Sequence, residues 1–416
     1  MKKKKLKIAI LHLAFTYSGG GEKLVLEEAR GLKERGHEVA IFTPVLNRKK
    51  CFPDIIGDFD IKTFFPDLPF FLPQREIFQV LLACVLAPLF TFRLRKFDVI
   101  LAANQPSPWL AFWVQKFFGV PYVTYLSFPT RFLYPRKIDR ETGLIFTEKG
   151  LFRPASFLIK MAKPLADLAD KISIKESNLV LANGGHVKGL LEKIYTIKAV
   201  NCPGGAHPTV RRVNYFYRNK GRLKVNGKTI AKPYILLTNR HFPQKRLEYA
   251  LVVLPHILKK IPNLSLVITG EETSYTQGLR ALVKKLSLEK KVLFLGLVRE
   301  KDLKKLYSQA MIYSYTAPEE DFGMGIIEAM AQGVPVVAWD NAGPSRIVID
   351  GQTGFLAKPF DTTDFLDKIL KLSKDKKLNE DMGREASERV KNKFSYLKHL
   401  EILERGLNEV FGRGFS

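Results

Sequence analysis

Short apolar runs, each followed by a turn and then by a stretch with helical spacing, recur along most of this chain, and few folds accept that pattern. Ile8–Leu13 is the first run. Gly19-Gly20-Gly21 follows, then a helical stretch Glu22–Arg35, Gly36 where a C-cap glycine belongs, and a second strand Val39–Thr43. Val99–Ala102, Tyr122–Leu126 and Leu179–Ala182 continue the series, with helical stretches such as Trp109–Phe118 between them. Strands that are apolar along their whole length and joined by helices belong to a mostly parallel sheet covered on both faces.

From about Gly204 to Lys232 the alternation stops in a basic, turn-rich stretch. It then restarts more regularly, with strands at Tyr234–Thr238, Leu264–Thr269, Val292–Leu295, Met311–Tyr315 and Val334–Trp339. Helices are expected between them around Leu247–Lys260, Leu279–Leu286, Leu303–Ala310 and Gly325–Ala331. The expected architecture is α/β: two doubly wound, Rossmann-like domains facing each other across a cleft, with ligands beyond the carboxyl ends of the strands. The boundaries are 1–205 for the first domain, 206–232 for a linker and 233–393 for the second. A last amphipathic helix, Tyr396–Phe411 within 394–416, is able to pack back on the first domain.

Composition narrows the function classes. A net charge of +26 on 416 residues suggests a polyanionic neighbour, either nucleic acid, anionic lipid or phosphorylated substrate. Cys51, Cys84 and Cys202 are too scattered for a disulfide framework or a zinc site, which reads as a reducing compartment. "MKKKKLKIAILHLAF" has a basic start and an apolar run but no small-residue cleavage pattern, so it is read as a first buried strand. Ile77–Phe92 is the most apolar stretch. As a helix it would span about 24 Å against a hydrocarbon core of roughly 30 Å, and Pro88 interrupts it. It is expected to be a half-buried helix or a segment dipping into a membrane surface, not a transmembrane span.

The chemistry concentrates in "EEDFGMGIIE", residues 319–328. After the strand ending at Tyr315, Gly323 and Gly325 let the backbone approach a ligand, and the first helical turn offers N–H groups suited to phosphate. Glu328, about one turn in, can accept from a ribose diol, and Glu320 can reach sugar hydroxyls. As plain structure, Glu320 is a solvated loop charge and Glu328 a first-turn Glu favoured by the helix dipole. Arg240 and Lys245 in "TNRHFPQKRLE" would place two cations where a diphosphate departs, or are simply two more basic residues. "YSGGGEK" at 17–23 offers backbone amides at a helix start or is a tight turn. A P-loop and a dinucleotide fingerprint are both missing. Asp58-Phe59-Asp60 lacks a neighbouring phosphate loop, and no His/Cys/carboxylate group has zinc spacing.

"EEDFGMGIIEAMAQGVPVVAWDNAGPSRIVIDGQTGFLAKP" closely resembles the donor-binding signature of the family-four retaining glycosyltransferases, which have the GT-B fold. "GGGE" at 19–22 and "NRHFPQKR" at 239–246 match in place and order, and "YLSFPTRFLYP" at 125–135 is similar to mannosyltransferase-like members. The resemblance implies that Arg240 and Lys245 bind the donor diphosphate, with backbone donors from Gly323 to Gly325 and with Phe322 and Met324 among the donor-binding residues. It implies Glu328 on the ribose, Glu320 on the transferred sugar, and the base near Leu297 and Val298. Gly20 and Gly21 would close over the diphosphate, and Ser127 would touch acceptor or donor. It also implies retention of configuration without a metal or other cofactor. A nucleotide-diphosphate sugar would be the donor, a hexose (mannose mildly preferred) the transferred group, and a glycan or lipid-linked sugar the acceptor. The expected location is cytoplasmic and peripheral, at the inner face of the cell membrane.

Two positions depart from the family. Ser127 stands where many relatives have a His, and Arg346 where a Glu is usual. The rival readings are a sugar-nucleotide epimerase or phosphorylase on the same fold, and a basic nucleic-acid-binding protein. "RRVNYFYRNKGRLK" at 211–224 is the stretch that would serve the latter, while the apolar 64–92 region beside "RLRK" at 93–96 favours an anionic membrane.

Overall fold

The computed structural model describes residues 5–64, 75–143, 153–208 and 221–413. The chain divides into two compact units, Met1–Pro203 with His399–Ser416, and Gly204–Lys398. Most of "FFPDLPFFLP" and most of "RRVNYFYRNKGRLK" lie outside the described residues.

The first unit is a parallel sheet of β1 (Lys7–His12), β2 (Glu38–Thr43), β3 (Ile61–Thr63), β4 (Val99–Ala103), β5 (Tyr122–Leu126), β6 (Leu179–Ala182) and β7 (Val200–Asn201). Their spatial order is β3-β2-β1-β4-β5-β6-β7. Chain direction reverses its progress between β1 and β4, where His12 stands beside Ala103. Such a switch point opens a crevice at the carboxyl ends of the strands. β3 and β7 are too short to stand out by apolar pattern, and β7 is exposed at both residues.

The second unit begins with an antiparallel hairpin, β8 (Arg222–Val225) and β9 (Lys228–Ala231). This corrects the expected linker 206–232. Val225 and Ile230 are buried in the unit's core, so the described part of this segment is a piece of the domain. Its turn residues, Asn226-Gly227, both have positive φ, a hairpin signal hidden by the surrounding lysines. A parallel sheet follows: β10 (Tyr234–Thr238), β11 (Ser265–Thr269), β12 (Val292–Phe294), β13 (Ile312–Tyr315), β14 (Val336–Trp339) and β15 (Gly354–Ala357). The order β12-β11-β10-β13-β14-β15 places the switch point between β10 and β13.

Period-two alternation explains why these strands are apolar throughout. Tyr234 and Leu236 enter the core on one face of the sheet, and Ile235 and Leu237 enter the core on the other. Val336 and Ala338 likewise face one way, Val337 and Trp339 the other. Both faces are covered by helices, so most strand positions on either face are apolar.

Ile77–Phe92 is not one helix. It comprises a helix Arg75–Val85, a short helix Ala87–Phe90 and a tight turn Thr91–Arg93, the break falling next to Pro88. Among the described residues no helix is long and apolar enough to cross a membrane. The C-terminal helix Tyr396–Arg413 buries Leu400, Leu403, Leu407 and Val410. Gly406 allows its backbone to come against the Leu179 side chain of β6, where a Cβ would lie 2.7 Å from Cδ2.

Candidate active site

The two loops at the switch point of the second unit carry the paired charges. The loop after β10 turns through Pro243–Lys245, and Thr316, just past β13, donates its hydroxyl to the Lys245 carbonyl at 2.9 Å. The Lys245 Nζ consequently lies 2.5 Å from Glu320 Oε2, with both side chains largely buried. Glu319, just before, has φ +52°, and Gly343 N–H donates to the Glu320 carbonyl at 2.7 Å, which ties the acidic loop to the turn at Gly343.

Arg240 is paired as well. Its Nε lies 3.0 Å from Glu271 Oε2, and its guanidinium covers the Phe242 ring at 4.2 Å. Glu271 follows Gly270 at the end of β11. Gly270 has φ +136° and a Cβ there would run into the Asn239 carbonyl, so the two loops touch through a glycine. The Glu271 partner was not anticipated from sequence, since "TGEE" carries no signal of what lies opposite.

Gly323, at φ +107°, caps the helix Met324–Ala331. The first-turn amides of such a helix have no intrahelical acceptor and favour an anion. Phe322 is buried beneath this turn, where it anchors the loop in the core and is not part of its open face. Gly325 is required by a close approach: any Cβ would meet the Tyr313 hydroxyl. That hydroxyl belongs to a chain of three, Tyr313 to Thr238 Oγ1 at 2.9 Å and Thr238 Oγ1 to Tyr307 at 2.6 Å. Tyr307 then donates to Glu328 Oε2 at 2.8 Å. Burial, and then the Glu328 charge, raise the Tyr307 phenol well above its ordinary range, so it stays a donor. Glu328 is thereby held at a fixed orientation about a turn into the helix.

Leu297 and Val298 follow β12. Asn226 of the hairpin donates to the carbonyls of Leu295 at 3.1 Å and Leu297 at 2.7 Å, which shapes this loop. Leu297 is exposed, while Val298 packs on the core.

In the first unit the structure gathers Gly21, Asn104 and Ser127. Gly20 and Gly21 open the helix Gly20–Glu34, and a Cβ on Gly21 would sit 3.8 Å from Asn104 Nδ2. Asn104, at φ +59° just past β4, accepts the Ser127 N–H at 2.8 Å. The Ser127 hydroxyl is buried with no hydrogen-bond partner among the described residues. His12 ends β1 with Nδ1 facing the Ala103 carbonyl at 3.3 Å, and burial lowers its basicity to a pKa of about 4, so the ring is neutral. His12 and Asn104 are additions to the sequence reading, visible only once β1, β4 and β5 lie side by side. Asp58 and Asp60 are engaged with Arg30 at 3.5 Å and Lys62 at 3.3 Å. Arg346 is exposed on a short helix, Pro344–Ile347.

Residues 18–201 match the model of Glycosyltransferase Family 4, and residues 222–389 match that of Glycosyl transferases group 1. The chain belongs to the family-four glycosyltransferases. Among curated relatives, this glycosyltransferase is 27% identical to the alpha-1,3/1,6-mannosyltransferase ALG2 of Dictyostelium discoideum, over 94% of this chain and 96% of that one. Its fold is that of sucrose-phosphate synthase from Thermosynechococcus elongatus, with a TM-score of 0.76 at 18% identity over 98% of this chain and all of that one. A crystal structure of Anabaena HepE in complex with UDP and glucose matches with a TM-score of 0.71 at 17% identity, covering 97% and 99%. At such identities these structures speak for the fold alone, and that fold is GT-B: two Rossmann-like, doubly wound units.

Proposed function

We propose that this enzyme moves a hexose, with mannose preferred, from a nucleotide-diphosphate sugar to a glycan or lipid-linked acceptor with retention of configuration. The observation that carries the reading is the Lys245–Glu320 pair at the second unit's switch point, beside a helix whose Glu328 is fixed by Tyr307. The full-length similarity to an alpha-1,3/1,6-mannosyltransferase supports the choice of mannose. An epimerase or phosphorylase, and a nucleic-acid-binding protein, find no support of this kind.

In the proposed reaction Arg240 and Lys245 neutralise the diphosphate as the bond from the anomeric carbon to its oxygen breaks. The acceptor oxygen bonds to the same face of the sugar, and its proton passes to the departing phosphate oxygen. Glu320 orients the sugar hydroxyls, Glu328 the ribose, Gly323–Gly325 add backbone donors, and Leu297 and Val298 border the base. Ser127 contributes a hydroxyl to the acceptor side, with Gly20 and Gly21 near it. Two fixed cations supply the charge that a divalent metal supplies elsewhere, so transfer is proposed to proceed without one. The proposed location is peripheral, at the inner face of the cell membrane.

Thermal melts with UDP, GDP, ADP and their sugar conjugates, on wild type and Glu328→Ala, test the donor half. One nucleotide should stabilise wild type and lose its effect in the variant. Carboxylate contacts of this type are worth roughly 1.5–3 kcal/mol, or about 10–100-fold in affinity. A panel with no stabilising nucleotide, or one with RNA as the stabiliser, overturns the reading. Product NMR showing inverted configuration overturns the mechanism.

A further inference from the structure

One segment of the first unit leaves its large apolar side chains in solvent. The helix Arg75–Val85 and its continuation bury Gln79 to 1% exposure, while Phe78, Leu81, Val85 and Leu89 stand 54 to 75% exposed. Within the helix, Phe78, Leu81 and Val85 are spaced by three and four residues and make one outward stripe, and Leu89 of the following short helix is exposed as well. One buried glutamine and exposed Phe, Leu and Val depart from the ordinary partition of these side chains, and exposed apolar surface of this kind marks an interaction site.

Trp109 Nε1 donates to the Cys84 carbonyl at 3.0 Å, which ties this helix to the helix Ser107–Phe118. Beyond Leu89 comes Phe92, also exposed. That ring also lines an open cavity of about 520 Å³, whose other walls are Phe42, Lys62, Arg93, Arg95 and Lys96. Lys62 is offset by Asp60 at 3.3 Å, which leaves the net positive charge to Arg93, Arg95 and Lys96. A ring of cations opening beside exposed apolar side chains matches a phospholipid: acyl boundary against the stripe, phosphate in the cavity.

We propose that this face is the membrane-docking surface of the enzyme, with anionic phospholipid headgroups seated in the Arg93–Arg95–Lys96 cavity. It rests on the reading of a peripheral membrane enzyme and specifies where and by what chemistry the enzyme docks. A lipid-linked acceptor would thereby be met at the interface, with the charge excess of the chain serving attraction.

The test is flotation of the full chain with vesicles of phosphatidylcholine alone or with about one-third phosphatidylglycerol. Wild type should float with the anionic vesicles. Leu81→Glu/Val85→Glu should abolish flotation, and Arg95→Glu/Lys96→Glu should weaken it roughly tenfold or more. Both pairs are exposed, so melting temperatures should stay at the wild-type value, and the nucleotide-induced shift should persist. Inorganic phosphate should compete no better than sodium chloride of equal ionic strength; stronger competition would make the cavity a free-phosphate site and overturn the headgroup assignment. Flotation that survives both double variants overturns the proposal. So does a shift from dimer to monomer in the Leu81→Glu/Val85→Glu variant, which would make a second copy the occupant. Because flotation requires no nucleotide, its failure is distinct from failure of the donor reading.

Discussion

Lys245 Nζ and Glu320 Oε2 are 2.5 Å apart, although 75 positions separate them in the chain. The pair spans the loops after the two strands that flank the switch point, β10 and β13. Removing the ammonium also leaves a largely buried carboxylate without its cation. Lys245→Ala should therefore lower kcat/KM by roughly 10²–10³, about 3–4 kcal/mol of transition-state stabilisation. Lys245→Ala/Glu320→Ala should cost less than the sum of the single variants, because the two act as a unit. Steady-state kinetics that show full additivity would contradict the coupling.

Gly325→Ala places a methyl group against the Tyr313 hydroxyl, with Thr238 Oγ1 at 3.1 Å. The hydroxyl chain to Glu328 must then shift. A loss of about 1–3 kcal/mol in stability is expected, together with at least tenfold in kcat/KM. Gly278 is the control. It lies inside the helix Ser274–Lys285 with open space around it, so Gly278→Ala should be stabilising by roughly 0.5–1 kcal/mol and leave activity intact. Denaturant melts of the two variants decide between these signs.

The loop that carries Ser127 is held by Asp170, which accepts from Thr130 at 2.6 Å and from Tyr195 at 2.8 Å. Burial raises this carboxyl to a pKa of about 6, the two hydroxyl bonds opposing and the Asp167 charge adding. A carboxyl with a raised folded-state pKa stabilises the fold fully below its unfolded value near 3.8, and that contribution is lost as pH rises through about 6. Asp170→Asn should therefore gain relative to wild type between pH 4 and pH 7, by at most about 3 kcal/mol. A gap between the two proteins that does not change with pH would refute this.

His399 of the C-terminal helix has both ring nitrogens on oxygen acceptors, Nδ1 at 3.0 Å from the Pro203 carbonyl and Nε2 at 2.9 Å from Glu28 Oε1. Two acceptors require two protons, so the ring is an imidazolium. Burial works against that charge, but Cys202 and Glu28 outweigh it and hold the pKa well above the usual range. With a raised histidine, the stabilisation is complete below about pH 6.5 and is lost as pH rises through the folded-state value. Glu28→Gln should cost roughly 3–5 kcal/mol at neutral pH and less in alkali. Urea melts at pH 6 and pH 9 measure both, and an equal loss at the two pH values would contradict the ionised pair.

How much of this was legible depends on what each feature requires. The helix start at Gly323 and the carboxylates at 320 and 328 belong to one local stretch, so residue type and spacing suffice to single them out. The hairpin at 222–231 was missed because its strands, such as "RLKV" and "KTIA", bury only one residue each of the four, Val225 and Ile230. A pattern that sparse is lost among lysines. The Asn104–Ser127 contact and the Arg240–Glu271 pair were missed for a different reason. Each joins the ends of neighbouring strands, and only sheet order and register say which ends are neighbours.

By itself, the sequence determined two parallel α/β units, because apolar runs joined by helical stretches have no other way to bury both faces of their strands. It also determined a glycine turn opening onto a helix start, because glycine conformational freedom and helix-start amides are properties of adjacent residues. Only the tertiary structure decided that Lys245 meets Glu320, that Tyr307 fixes Glu328, and that Phe78, Leu81 and Val85 face outward while Gln79 faces in. Those outcomes follow from which elements pack together, and packing is settled by the whole fold, at sequence separations no local pattern can span.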